Sequence, residues 1–158
     1  MKKLPYKEGD VIAVPLHDSG YALGVVARSS KQGRVLFGYF FGKCYAEVPK
    51  DTSSVKLTPG SAVLIIKFGD LGLMNGTWKV VAGTGNWDRT RWPMPKFLRR
   101  DDLAERSWLV TYDEDAPQKV LKEEVYDDKK NEGNYSSAGL YGAGAVEIAL
   151  TRIVGPKK

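Results

Sequence analysis

Gly9-Asp10-Val11-Ile12-Ala13-Val14-Pro15-Leu16, then His17-Asp18-Ser19-Gly20, then Tyr21-Ala22-Leu23-Gly24-Val25-Val26-Ala27-Arg28 is the stretch that decides the fold. Val, Ile, Leu and Tyr dominate both arms, and Asp18-Ser19-Gly20 supplies turn chemistry, so the stretch reads as a β-hairpin. Its first arm is almost continuously apolar, which places it deep in a sheet rather than half-exposed. Gly24, in mid-strand, predicts a bulge or sharp bend. Pro15 sits near the end of its arm, where a missing backbone donor is tolerated.

Outward from the hairpin, Arg34–Phe41, Ser61–Phe68, Thr77–Ala82 and Ser107–Tyr112 read as further strands, with a short one at Cys44–Val48. The branched run Ala145–Val154 reads as the last strand. Residues 69–76 form a connection with turn signals at both ends, and Asp101–Arg106 could make one helical turn. Gln118–Val125 fits either a strand or a short helix. Pro93 and Pro95 exclude a helix in the stretch Gly83–Arg100 and argue against a central strand there. The expected fold is mainly β, with eight to ten short strands and minor helix. A strongly bent antiparallel sheet would close into a small barrel or a sandwich. A length of 158 residues points to one domain, with its core over about residues 6–154.

Charge is unevenly spread. Residues 1–100 hold 16 Lys/Arg against 7 Asp/Glu, whereas residues 101–132 hold 5 against 11, within a chain of net charge +5. This predicts two surfaces of opposite sign. The single Cys44 excludes an intrachain disulfide and fits a reducing compartment. No apolar run resembles a signal peptide or a membrane span, so a cytoplasmic location without membrane contact is expected.

Few residues offer catalytic chemistry. His17 is the only histidine, lies in a turn, and has no second His or Cys beside it, which leaves no zinc pattern. Cys44 lacks an adjacent base to activate it. The glycines of Gly139-Leu140-Tyr141-Gly142-Ala143-Gly144 precede an expected strand rather than a helix, so the helix-terminus logic for phosphate binding does not apply. The reading is therefore of a non-enzyme with no metal and no cofactor.

Two stretches offer binding chemistry instead. An acidic face comprises Asp113, Glu114, Asp115, Glu123, Glu124, Asp127 and Asp128. An aromatic-basic alternative comprises Trp87, Arg89, Arg91 and Trp92. Carboxylates would steer a basic partner. Trp and Arg together are typical of protein interface anchors, and also of single-stranded nucleic-acid platforms.

In their order and spacing, four segments resemble the immunity protein 26 family of bacterial toxin-neutralising proteins. They are the opening hairpin, Trp92-Pro93-Met94-Pro95-Lys96-Phe97, the strand end Tyr112-Asp113, and Leu140-Tyr141-Gly142-Ala143-Gly144-Ala145-Val146-Glu147. The resemblance implies a protein that binds a cognate toxin domain of a polymorphic or contact-dependent system and blocks it inside the producing cell. Nucleases are frequent among such toxins. Their immunity proteins usually carry an acidic face, which segment 101–132 would have to supply in this basic chain. The resemblance brings no catalytic residues with it, and oligomeric state stays open. Two alternatives come from other classes. One is a nucleic-acid-binding module built on Trp87–Arg100. The other is a small-barrel ribonuclease of a toxin–antitoxin pair, which the opening also resembles. The Arg-Pro pair of such ribonucleases has no counterpart at Tyr21-Ala22-Leu23.

Overall fold

The computed structural model of the chain describes residues 3–52, 55–83, 85–127 and 135–154. The opening hairpin forms as expected, with β1 Asp10–Pro15 pairing antiparallel to β2 Tyr21–Ser29. The chain continues through β3 Val35–Phe41, β4 Ala62–Gly69, the short helix α1 Leu71–Met74 and β5 Lys79–Gly83. Next come β6 Phe97–Asp101, β7 Arg106–Asp113 and β8 Ala116–Tyr126, then β9 Leu140–Tyr141 and α2 Ala143–Val154.

Among the described residues, nine strands make two sheets. The central one has order β5-β1-β2-β3-β4-β9, and the second has order β6-β7-β8. All neighbours are antiparallel except β4 and β9. Neither sheet closes on itself, so the barrel alternative is not realised.

β1 is continuously apolar because both faces of the central sheet are covered. Ile12 and Val14 face one cluster, with Leu36, Phe40, Ile66, Phe68, Trp78 and the α2 residues Val146 and Leu150. Val11 and Ala13 face the other, with Leu23, Val25, Phe37 and Tyr39, closed by Trp92, Phe97, Val110 and Tyr112. The layers are therefore helix, central sheet and second sheet.

Several expectations are corrected. Ala145–Val154 is a helix, not a strand. Val146 and Leu150 are buried four residues apart while Ile148 and Ile153 are exposed, which is a helical period. The preceding glycines thus lead into a helix, and the Gly142 carbonyl accepts the Val146 N–H at 3.0 Å. Cys44–Val48 is not a strand; its only bridge pairs Tyr45 with Tyr21. Residues 102–105 are the turn of a β-hairpin, not a helical turn. Gln118–Val125 resolves as strand. Phe97–Arg100 is part of the edge strand β6, consistent with the prolines before it excluding a central strand.

Gly24 is not at a bulge. A Cβ there would lie 2.6 Å from the Phe40 ring, so the position must be bare for the ring to cross it. The bulge comes two residues later, where the β2–β3 register shifts between Val26 and Arg28. The extra residue moves Arg28 opposite Phe37, onto the face covered by the second sheet.

Lys67, on β4, also points into that layer. It is 5 % exposed, with its ammonium 3.3 Å from the centre of the Tyr112 ring and 5.7 Å from that of Phe97. Burial pulls its pKa down to about 8, although the ring faces offset part of the cost of the charge. Below pH 8 the folded protein carries a buried charge that the unfolded chain hydrates. Between about 8 and the ordinary lysine value of 10.5 the unfolded chain still holds that proton and the folded one does not, so stability rises with pH in this window. Lys67→Met should raise the Tm by a few degrees at pH 7, and thermal melts should show the gain shrinking as the pH rises from 8 to 10.5.

Candidate partner-binding surface

The two sequence stretches of opposite charge meet in space. Trp87 is half-buried, and its indole N–H donates to Glu8 Oε2 at 2.7 Å. Gly9, at φ +93°, lies under this ring, where a Cβ would be 2.9 Å from it. A single 3-10 turn at Arg89–Arg91 follows, capped by the Asp88 carboxylate accepting the Thr90 N–H at 3.0 Å. The turn aims the Arg89 guanidinium at Glu8, with contacts of 2.7 and 3.1 Å, and at Asp115 Oδ1, 3.2 Å away. Both carboxylates hold the Arg89 pKa above its ordinary value, the hydrogen bond from Glu8 contributing most. Trp92 is 8 % exposed, stacked on Trp87 at 6.1 Å and packed edge-on against Tyr39 and Phe41. Arg91 is exposed, 3.9 Å from Asp88.

Beneath this turn lies Arg28, 1 % exposed. Its guanidinium donates to the carbonyls of Ala27, Trp92 and Arg89 at 2.6, 3.1 and 3.3 Å, and to Glu114 Oε1 at 3.1 Å. One side chain thus ties the β2 bulge to the 89–92 turn and to the β7–β8 turn. No sequence pattern marks Arg28 as buried; it closes an apolar arm and reads as the first polar residue after a strand.

The predicted acidic face divides between two places. Asp113, Glu114 and Asp115 occupy the β7–β8 turn, where Asp113 Oδ1 accepts the Asp115 N–H at 2.8 Å. Glu123, Glu124 and Asp127 lie at the far end of β8. Arg99 donates to Glu123 at 3.0 Å, and Lys96 to Glu124 at 2.6 Å. The Lys96 ammonium holds the Glu124 carboxyl below its ordinary pKa, and Glu124 raises that of Lys96. Asp128 lies outside the described residues. So Trp87, Arg89 and Trp92 adjoin the Asp113–Asp115 turn, and the two alternative faces join there into one surface of mixed charge.

His17 and Cys44 lie elsewhere, around the β1–β2 turn. His17, exposed in the β1–β2 turn, lies 3.3 Å from Glu147 Oε1, whose other oxygen accepts the Trp78 indole N–H at 2.8 Å. Cys44 is half-buried against Gly20. No group of three or more His, Cys, Asp or Glu is arranged to hold a metal among the described residues. No helix there is long and apolar enough to cross a membrane. Replacing Glu114 by Ala should leave the buried Arg28 charge without a carboxylate and cost about 1–3 kcal/mol. Removing the exposed Asp115 in the same way should cost under about 1 kcal/mol. Thermal denaturation of the two variants measures the contrast.

Comparison with known proteins adds one finding to this geometry. No curated protein and no solved structure matches the chain. The model of the family described as Immunity protein 26 matches residues 7–109. That span covers β1 to β6, the Trp87–Trp92 turn, and β7 as far as Leu109. Of the segments carrying the sequence resemblance, the opening hairpin and Trp92–Phe97 lie inside it, while Tyr112-Asp113 and Leu140–Glu147 lie beyond it. With most of its length matched, the chain belongs to the immunity protein 26 family.

Proposed function

We propose that this protein binds a cognate bacterial toxin domain in the cytoplasm and neutralises it by covering the toxin's active site or substrate path, without catalysis of its own. The family match carries the reading. The geometry supports it in a second way. The second sheet holds its carboxylates on an accessible rim.

The face proposed for the partner is that acidic strip: Asp113, Glu114, Asp115, Glu123, Glu124 and Asp127 on and beside β7 and β8, with Asp128 following. A nuclease suits it as target, because a nucleic-acid groove is basic and the strip would occupy it as a phosphate backbone does. An interface of roughly 800 Å² per partner would suffice, with a few anchors holding most of the energy. Trp87, Arg89, Arg91 and Trp92 form the alternative face. As a nucleic-acid platform they are poorly disposed, since Trp92 is buried against Trp87 and Arg89 is engaged by Glu8 and Asp115. The ribonuclease alternative lacks its arginine.

Occlusion predicts stoichiometry. Co-expression with a toxin domain that this chain captures in a pull-down should restore growth. In vitro, toxin activity should fall linearly with added chain to an end point at one equivalent. Inhibition at substoichiometric amounts would instead reveal an enzymatic route, and no protection with no binding would overturn the reading.

A further inference from the structure

On the second sheet, four carboxylates are met by cations from earlier in the chain. Residues 101–127 hold nine carboxylates and three cations, and arginines or lysines from the first hundred residues approach four of the nine. Glu114 meets Arg28, Asp115 meets Arg89, Glu123 meets Arg99 and Glu124 meets Lys96. The β6–β7 turn is different. Asp102 and Glu105 are both exposed, and among the described residues neither has a cation against it.

Between them stands Leu103, 100 % exposed. A fully solvated leucine at a hairpin tip contributes nothing to the core, and any polar residue would serve the turn as well. Nor is the tip left unshaped. The Asp101 carboxylate accepts the backbone N–H groups of Leu103 and Ala104 at 3.1 and 3.2 Å, which fixes the apex and removes entropy that binding would otherwise have to remove.

The same end of the sheet continues the apolar surface. Arg99, Trp108 and Val125 are cross-strand neighbours on β6, β7 and β8. The Arg99 guanidinium lies 4.3 Å from the Trp108 ring, and Val125 is 77 % exposed. Arginine stacked on tryptophan, with bare aliphatic groups beside it, is the composition of an interface anchor. Other apolar surface is less suited to the role. The rest of the β8 edge carries Val120 and Leu121, but lysines and two register shifts break it up, which disfavours strand addition.

We infer that this hairpin end is the toxin-docking knob: Leu103, with Trp108 and Val125 behind it, enters an apolar pocket on the toxin domain whose rim carries lysines or arginines that meet Asp102 and Glu105. The inference rests on the toxin-binding reading and narrows it to one end of the acidic strip. The carboxylates left without internal partners are the ones that carry it, because a cationic rim is their complement. Glu114, Asp115, Glu123 and Glu124, by contrast, are already met by the protein's own cations.

Binding to the toxin domain that the chain protects against in co-expression, measured by calorimetry and by association kinetics across salt, tests it. Leu103→Ala should weaken the complex about tenfold, mainly through faster dissociation, with Tm unchanged because the side chain is solvated. Asp102→Asn with Glu105→Gln should slow association and flatten its salt dependence. Ile148→Ala, on the opposite layer, should leave affinity within twofold. Tight binding by wild type together with unchanged binding by the Leu103 and Asp102/Glu105 variants would overturn the docking site while leaving the toxin-binding reading intact. No binding by wild type would overturn both. Dimerisation of the isolated chain that Leu103→Ala abolishes would assign the knob to a second copy and overturn the inference.

Discussion

The structure depends on one constraint: the central sheet has two apolar faces, and each needs its own cover. A strand buried on one side alternates apolar and polar residues, whereas β1 and β2 do not alternate. The helix layer covers one face through Val146, Leu150, Leu73 and Trp78. The second sheet covers the other through Phe97, Val110 and Tyr112. The arrangement of turns, the burial of Arg28 and Lys67, and the position of the exposed hairpin end all follow from laying a three-stranded sheet across β2 and β3.

Arg28 shows how that cover is held in register. Apolar packing between sheets is tolerant of sliding, but a buried guanidinium is not. Displacing the second sheet would separate the buried Arg28 guanidinium from Glu114, and shifting the 89–92 turn would cost it the carbonyls of Trp92 and Arg89. The β-bulge makes this possible. Without the register shift after Val26, the residue paired with Phe37 would be Ala27, and Arg28 would face the helix layer.

The strands of the sheet core were legible because branched and aromatic runs between turn residues have few other readings. What escaped was whatever depended on tertiary partners. Ala145–Val154 has strand-like composition, but as a helix it turns Val146 and Leu150 into the cluster that also holds Ile12 and Val14. Gly24 was read through the backbone, when the deciding contact was the Phe40 ring. The charge segregation was visible, yet its meaning was inverted locally. Two stretches that would repel or attract separate partners attract each other, at Arg89–Asp115 and Lys96–Glu124. Nothing in the sequence marks the tip at Leu103, because a single leucine in a polar turn has no periodicity to betray its exposure.

The helical cover also sets what folding has to wait for. Ile12 and Val14 share one apolar cluster with Val146 and Leu150, which are far away along the chain. Contacts of such large sequence separation form only after the entropy of closing a long loop is met, so they come late. Until α2 docks, the hairpin of β1 and β2 keeps an open apolar face, and a partly folded chain is prone to aggregate through it.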